Sequence, residues 1–117
     1  MLSFHAHLKI FVATAPCDLR MNFNGLWAVA TERLGEDPKS GALFVFGNRR
    51  RNRIKILYFD GTGVCVLAKR LEEGAFHWPQ SAGEPDAKLR LSPQALQLLL
   101  DGVELKAAGR RAWYEAA

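Results

Sequence analysis

The stretch 53–59 carries apolar side chains on both faces of a prospective β-strand, and this pattern constrains the fold more than any other. Ile54 and Ile56 would face one way, whereas Leu57 would face the other. A strand of this kind needs a cover on each face, and helices are the usual cover. The sequence therefore predicts a sheet whose middle strand lies between two packed layers.

Two more β-like stretches flank this one and are joined to it by short, turn-rich connections. The three predicted strands are residues 42–46, 53–59 and 64–69, with connections at 47–52 and 60–63. The second connection begins Asp60-Gly61, a pair typical of tight turns. Strands this short with connections this short are expected to form an antiparallel meander.

Two helices and an opening strand complete the prediction. Apolar residues recur at helical spacing from Phe23 onward, which predicts a helix at about 24–34 that ends at Gly35. Ser92 and Pro93 are typical of a helix start and predict a second helix at 93–101. An alternating stretch at 8–12 predicts the first strand, and the polar stretch 80–88 is expected to be a loop.

We therefore predict one α+β domain spanning residues 1–117. It has a central antiparallel β-meander with two main helices packed on it, and the tail at 107–117 is expected to be weakly ordered or helical. A chain of 117 residues suffices for one hydrophobic core and is too short for two. Its longest apolar stretches fall far short of the roughly twenty residues that cross a bilayer, so no membrane association is expected.

The two cysteines, Cys17 and Cys65, lie far apart and outside any Cys-x-x-Cys pattern, which favours reduced thiols. Lys9 interrupts the first apolar stretch, so we expect no export signal and a cytoplasmic protein.

Positive charge is concentrated in one part of the chain. The formal net charge is +4, but residues 47–70 hold seven basic residues against Asp60 alone, a local charge of +6. The remainder, with nine basic and eleven acidic residues, is weakly negative. A localised positive patch attracts polyanions, so nucleic acid is the first partner to consider.

The basic residues crowd the tip and first half of the predicted hairpin. The candidate nucleic-acid contacts are Arg49, Arg50, Arg51, Arg53 and Lys55, with Lys69 and Arg70 as an extension. Guanidinium groups match phosphate oxygens in pairs, and a two-stranded ribbon is narrow enough to enter a major groove. The alternative is a solvated turn whose charges guard the sheet edges against aggregation.

An ordered series of motifs resembles the TnpB-type accessory proteins encoded by the second reading frame of insertion-sequence-66 elements. The motifs are 38–46 (PKSGALFVF), 48–58 (NRRRNRIKILY), 60–63 (DGTG) and 69–72 (KRLE). The segments 16–20 (PCDLR), 25–26 (GL) and 76–79 (FHWP) are similar to the family too. The likeness covers roughly residues 8–105, with departures at Met21, Asn24 and Phe59.

The resemblance implies an accessory role in bacterial DNA transposition. It implies two partners, a separate transposase of the Asp-Asp-Glu type and a small helix-turn-helix protein. Asp18 and Arg20, which lie in one of the family-like segments, are candidates for a partner contact. A structural salt bridge between them is an equally good interpretation.

Several other residues suggest chemistry, and for each a structural role is the better interpretation. Four carboxylates could hold divalent ions for a nuclease: Asp60, Glu72, Glu73 and Asp86. Asp60 is better explained as a turn former. His5 and His7 would share one face of a strand, but no third metal ligand is near in sequence. We therefore predict no catalytic residue, no metal and no cofactor.

Four aromatic residues lie close to the basic patch in sequence: Tyr58, Phe59, Phe76 and Trp78. They could stack on unpaired bases, but apolar neighbours favour core packing. Three functions remain open at this point: a DNA-binding accessory protein, an adaptor that docks on the transposase without touching DNA, and, more distantly, a metal-dependent nuclease using Asp60 and Glu72.

Overall fold

Six β-strands form one mixed sheet in the computed structural model, which describes residues 8–80, 87–103 and 114–116. The strands are β1 (Ile10–Ala13), β2 (Leu43–Gly47), β3 (Arg53–Phe59), β4 (Val64–Arg70), β5 (Lys88–Leu91) and β6 (Tyr114–Ala116). Their order across the sheet is β4-β3-β2-β1-β5-β6.

Strands β2, β3 and β4 form the predicted antiparallel meander. Ile56 of β3 pairs with Val45 of β2 on one side and with Leu67 of β4 on the other. The strand bounds match the expected ones to within one residue, because alternating apolar residues and short turns determine both the pairing and its register.

Strand β1 enters the sheet parallel to β2, which the sequence pattern did not predict. Strand β5 then pairs antiparallel with the free side of β1, and β6 pairs with β5. Lys88, expected in a polar loop, is the first residue of β5. Residues 114–116, expected to be weakly ordered or helical, form β6. The remainder of the predicted loop at 81–86, the tail at 107–113, and His5 and His7 lie outside the described residues.

Both predicted helices are present. Helix α1 (Phe23–Ala28) continues as a π-helical turn, Val29–Arg33, and Gly35 follows with a φ of 67° that favours glycine. Helix α2 (Pro93–Leu100) begins as predicted, because the Ser92 hydroxyl accepts a hydrogen bond from the backbone N–H of Ala95 at 3.1 Å. None of the helices in the described residues is long and apolar enough to cross a membrane.

Each helix covers one face of the sheet, as the two-sided pattern of β3 predicts. On one face Ile54 and Ile56 pack with Leu96 and Leu99 of α2. On the other face Leu57 packs with Leu26 of α1 and its neighbours. The sheet is therefore the middle of three layers. Both of its faces are covered by a helix, which explains why β3 carries apolar side chains on both sides.

Candidate nucleic-acid interface

A groove of about 510 Å³ lies where the loop after β1 meets the turn between β2 and β3. We call it the arginine groove. Its lining comprises residues 16–20 of the loop and five residues of the turn: Asn48, Arg49, Arg50, Asn52 and Arg53. The backbone N–H of Cys17 donates to the carbonyl of Gly47 at 2.8 Å and joins the two segments. Two regions that are distant in sequence thus form one surface.

Asn48 determines the shape of the turn. Its Oδ1 accepts hydrogen bonds from the backbone N–H groups of Asn52 and Arg53, each at 3.1 Å, and its Nδ2 donates to Oδ1 of Asn52 at 2.7 Å. An asparagine side chain that accepts hydrogen bonds from the backbone N–H groups that follow it satisfies donors that would otherwise lack a partner in the turn. The arginines of the turn are therefore carried on a backbone with a defined conformation.

Arg51 turns inward, away from the other arginines of the hairpin. Its guanidinium lies 4.4 Å from the ring centroid of Trp78, and its Nη2 donates to the carbonyl of Thr14 at 3.0 Å. Burial lowers the pKa of this guanidinium, partly offset by the nearby Cys17. Trp78 is held in turn, because its Nε1 donates to the carbonyl of Ala13 at 3.0 Å. Arg51 thus joins the turn to the segment after β4 rather than lining the groove.

The backbone of Arg51 supports this orientation. Its φ is 58°, in the left-handed region that few non-glycine residues adopt. Its carbonyl accepts a hydrogen bond from the N–H of Phe76 at 2.6 Å. Strain of this kind persists only where surrounding contacts enforce it, which here are the stacking on Trp78 and the bonds to Thr14 and Phe76.

Three of the predicted arginines, Arg49, Arg50 and Arg53, are exposed and line the groove together with Arg20. Arg70 stands directly opposite Arg53 in the β3–β4 pairing, and both are exposed. Two like charges opposite each other across a strand pair repel and destabilise the pair slightly. Positive charge therefore accumulates at the groove and along the neighbouring end of β4.

Lys55 and Lys69 do not join this cluster. The ammonium group of Lys55 donates to the carbonyl of Met21 at 2.9 Å, beneath the start of α1. That of Lys69 donates to the carbonyl of Leu100 at 2.6 Å, at the end of α2. The two helices cover opposite faces of the sheet, so the two lysines hold backbone carbonyls on opposite sides of it.

Asp18 and Arg20 form an exposed ion pair in the wall of the groove. Nε of Arg20 lies 3.0 Å from Oδ1 of Asp18 and Nη2 lies 2.7 Å from Oδ2, and the backbone N–H of Arg20 also donates to Oδ1. The bonds from the guanidinium, then the backbone bond, lower the pKa of Asp18 to about 2. The groove thus holds four arginine side chains and one carboxylate, a formal charge of +3.

The Asp18 carboxyl is expected to titrate at about 2 in the folded protein when followed by NMR. Because this pKa lies below the ordinary value, the ion pair favours the folded state above about pH 4 and is lost as the pH falls through about 2. Arg20→Gln should return the Asp18 pKa toward about 3.9, whereas Arg49→Gln should leave it low. An unchanged pKa in Arg20→Gln would contradict the assigned cause.

The four aromatic residues and Asp60, which suggested other chemistry, have structural partners, whereas Asp86 lies outside the described residues. Phe76 is buried, Tyr58 packs against the α2 side of the core, and Phe59 meets Trp27 edge-on at 6.4 Å between ring centroids. Asp60 is a turn former, because its Oδ1 accepts from Thr62 and from the N–H of Gly63. In the described part of the chain, no three His, Cys, Asp or Glu side chains are grouped closely enough to hold a metal ion.

The sequence did not indicate that Arg20, Asn48 and Asn52 belong to one surface with the hairpin arginines. Arg20 lies 29 positions before Arg49, and no local pattern links them. A signal was present for the asparagines, because Asn48 and Asn52 flank the three consecutive arginines and asparagine is a common turn former.

One family model matches most of the chain. The family model described as IS66 Orf2-like protein matches residues 8–110. Two uncharacterized proteins of Sinorhizobium fredii (strain NBRC 101917 / NGR234) are similar to the chain. One, y4jC, is 39% identical over 97 residues, which cover 83% of this chain and 80% of that protein. The other, y4hO, is 35% identical over 104 residues, which cover 89% of this chain and 88% of that protein. No solved structure matches the chain.

Proposed function

The chain belongs to the IS66 Orf2-like family of transposition accessory proteins, and we propose that it serves transposition as a non-catalytic subunit that binds DNA through the arginine groove. The observation that carries the proposal is the convergence of Arg20, Arg49, Arg50 and Arg53 on one concave surface, where Asp18 is the only acid among the described residues. A surface with a formal charge of +3 attracts the negatively charged phosphates of DNA.

The side chains of Arg49, Arg50 and Arg53 are available for phosphate. Within the described residues none of the three makes a side-chain hydrogen bond or an ion pair, whereas Arg51, Lys55 and Lys69 each donate to a backbone carbonyl. A guanidinium with free N–H groups can bind two phosphate oxygens at once. We therefore assign DNA contact to Arg49, Arg50 and Arg53, with Arg20 and Arg70 at the margins of the same surface.

The bonding of Asp60 supports a non-catalytic role. The three hydrogen bonds that its Oδ1 accepts within the turn lower the pKa of Asp60 and engage that oxygen in holding the loop. A nuclease would need this carboxylate free to bind a divalent ion together with other carboxylates.

We expect the protein to act in the cytoplasm, with both cysteines as thiols, beside the Asp-Asp-Glu transposase and the helix-turn-helix protein of its element.

The salt dependence of duplex binding tests the proposal. If about four phosphates are contacted, the slope of log affinity against log salt should lie near −3 to −4 for the wild type. Arg49→Gln/Arg50→Gln should reduce its magnitude by about 2, because each lost phosphate contact removes about 0.9. The matched control is Lys9→Gln/Lys39→Gln, which removes the same charge from two exposed lysines outside the groove.

The control should retain the wild-type slope. If both double variants reduced the salt slope by the same amount, the net charge of the protein, and not the groove, would attract the DNA. Absence of salt-sensitive binding by the wild type would overturn DNA contact altogether and favour the adaptor role, in which these arginines meet an acidic surface of a partner protein.

A further inference from the structure

The arginine groove is large enough to hold a small molecule. Its volume of about 510 Å³ falls within the range of about 300–1,000 Å³ that is typical of small-molecule sites. Phosphates of duplex DNA lie on a convex ridge with the bases stacked inside, so a duplex would contact the rim of the groove and leave its interior empty. The interior is therefore open to a different group.

Three of the lining residues are uncharged and mainly apolar, and we call them the floor of the groove: Pro16, Cys17 and Leu19. Cys17 and Leu19 are buried, and Pro16 is partly buried beside them. Burial raises the pKa of the Cys17 thiol above its ordinary value, with Arg33 and Arg51 only partly opposing this, so the thiol carries no charge at neutral pH. An uncharged floor beneath a cationic rim suits a ligand that is both apolar and anionic.

Besides the three free guanidinium groups, the groove contains an amide N–H donor that lacks a partner within the described residues. Asn48 uses its Oδ1 to accept from two backbone N–H groups and its Nδ2 to donate to Oδ1 of Asn52, whereas Asn52 uses only that Oδ1. The Nδ2 group of Asn52 therefore keeps its two N–H donors for a ligand. Amide donors of this kind bind the carbonyl and ring-nitrogen acceptors of a nucleobase edge.

Charge distinguishes the two walls. The turn contributes three arginines, whereas the loop contributes Arg20 already bonded to the carboxylate of Asp18. A phosphate is attracted to the turn and repelled by Asp18, so the backbone of a bound strand would follow Arg49, Arg50 and Arg53. Its base would then extend over Pro16 and Leu19.

We propose that the arginine groove binds an unpaired nucleotide, so that the protein prefers single-stranded DNA or an unpaired strand end to duplex DNA. The proposal rests on the DNA-binding function proposed above and adds the form of DNA that is bound. The base packs on the apolar floor and receives a hydrogen bond from Asn52, while a guanidinium plane provides a further stacking surface.

A comparison of two labelled DNAs at one salt concentration tests the preference. One is a single strand, and the other is a fully paired hairpin duplex with the same number of phosphates. Electrostatics alone favours the duplex, because its charge density and counterion release are greater. We expect the single strand to bind about tenfold more tightly than the duplex. Phosphate contacts cannot explain such a preference, because they favour the duplex.

Asn52→Ala provides the site-specific test. It should weaken single-strand binding by about fivefold, the effect of one hydrogen bond, and weaken duplex binding by less, so that the preference for the single strand falls. Asn24→Ala, at an exposed asparagine on α1, is the matched control and should change neither. Should Asn52→Ala unfold the turn, the emission of 2-aminopurine at one unpaired position of a gapped duplex reports on base binding by the wild type.

The outcomes separate the two proposals. A single-strand preference that Asn52→Ala reduces, or a change in 2-aminopurine emission on binding, supports nucleotide binding in the groove. Equal or tighter duplex binding that Arg49→Gln/Arg50→Gln abolishes refutes the unpaired nucleotide and leaves the DNA-binding function standing. Failure of both DNAs to bind refutes both, and an acidic peptide of a partner protein becomes the occupant to test.

Discussion

Replacement of Phe44 by alanine is expected to destabilise the protein by about 3–5 kcal/mol. Phe44 is fully buried in β2, near the middle of the sheet, and its ring stacks on that of Phe11 with 5.7 Å between centroids. Removal of the ring leaves a cavity that the sheet cannot close, because β1 and β3 hold β2 on both sides. The cost is therefore lost burial together with an unfilled cavity.

Urea denaturation measures this effect, and the chain contains a matched control. Phe23 lies at the start of α1 with 47% of its surface exposed, so Phe23→Ala should change the free energy of unfolding by about 0.5 kcal/mol or less. A value for Phe44→Ala within about 1 kcal/mol of wild type would mean that β2 is not the centre of the packed sheet.

Gly47→Ala should destabilise the protein by about 1–3 kcal/mol and weaken DNA binding. A Cβ at position 47 would lie 2.6 Å from Cη2 of Trp78 and 2.9 Å from Nη1 of Arg51, both closer than van der Waals contact permits. The stacked pair would have to separate, and the turn that carries Arg49 and Arg50 would move with it. One methyl group would thus alter both the core and the groove.

Gly63→Ala is the control, because a Cβ at position 63 would meet no atom within 4 Å. Its unfolding midpoint and its DNA affinity should match those of wild type. If Gly47→Ala were equally harmless, the stacking of Arg51 on Trp78 could not be what holds the turn in place.

The meander was predictable because local pattern determines it. Alternating residues fix which side of β3 faces each helix, and turn formers such as Asp60 fix where each strand ends. The parallel pairing of β1 with β2 was not predictable in this way, because it joins segments about thirty residues apart with no local turn between them. Strand β5 was missed since its four residues form too short an alternation beside the stronger helix start at Ser92.

The candidate site was predictable as a region and not as a set of side chains. The density of arginine at 49–53 indicated the hairpin tip, and three of those residues do line the groove. Local sequence could not show that Arg51 turns inward, because its aromatic partner, Trp78, comes 27 positions later. Nor could it place Arg20 beside them, since that contact depends on how β1 enters the sheet.

The stacked pair of Arg51 and Trp78 also bears on how such proteins can diverge. Arg49 and Arg50 are exposed, so drift at these positions changes the charge of the surface and little else. Loss of Trp78 alone would leave a half-buried guanidinium without its ring, and loss of Arg51 alone would leave a void beneath the turn. Each single loss gives a less stable protein, so the two positions are expected to change together even though two whole strands, β3 and β4, separate them in the chain.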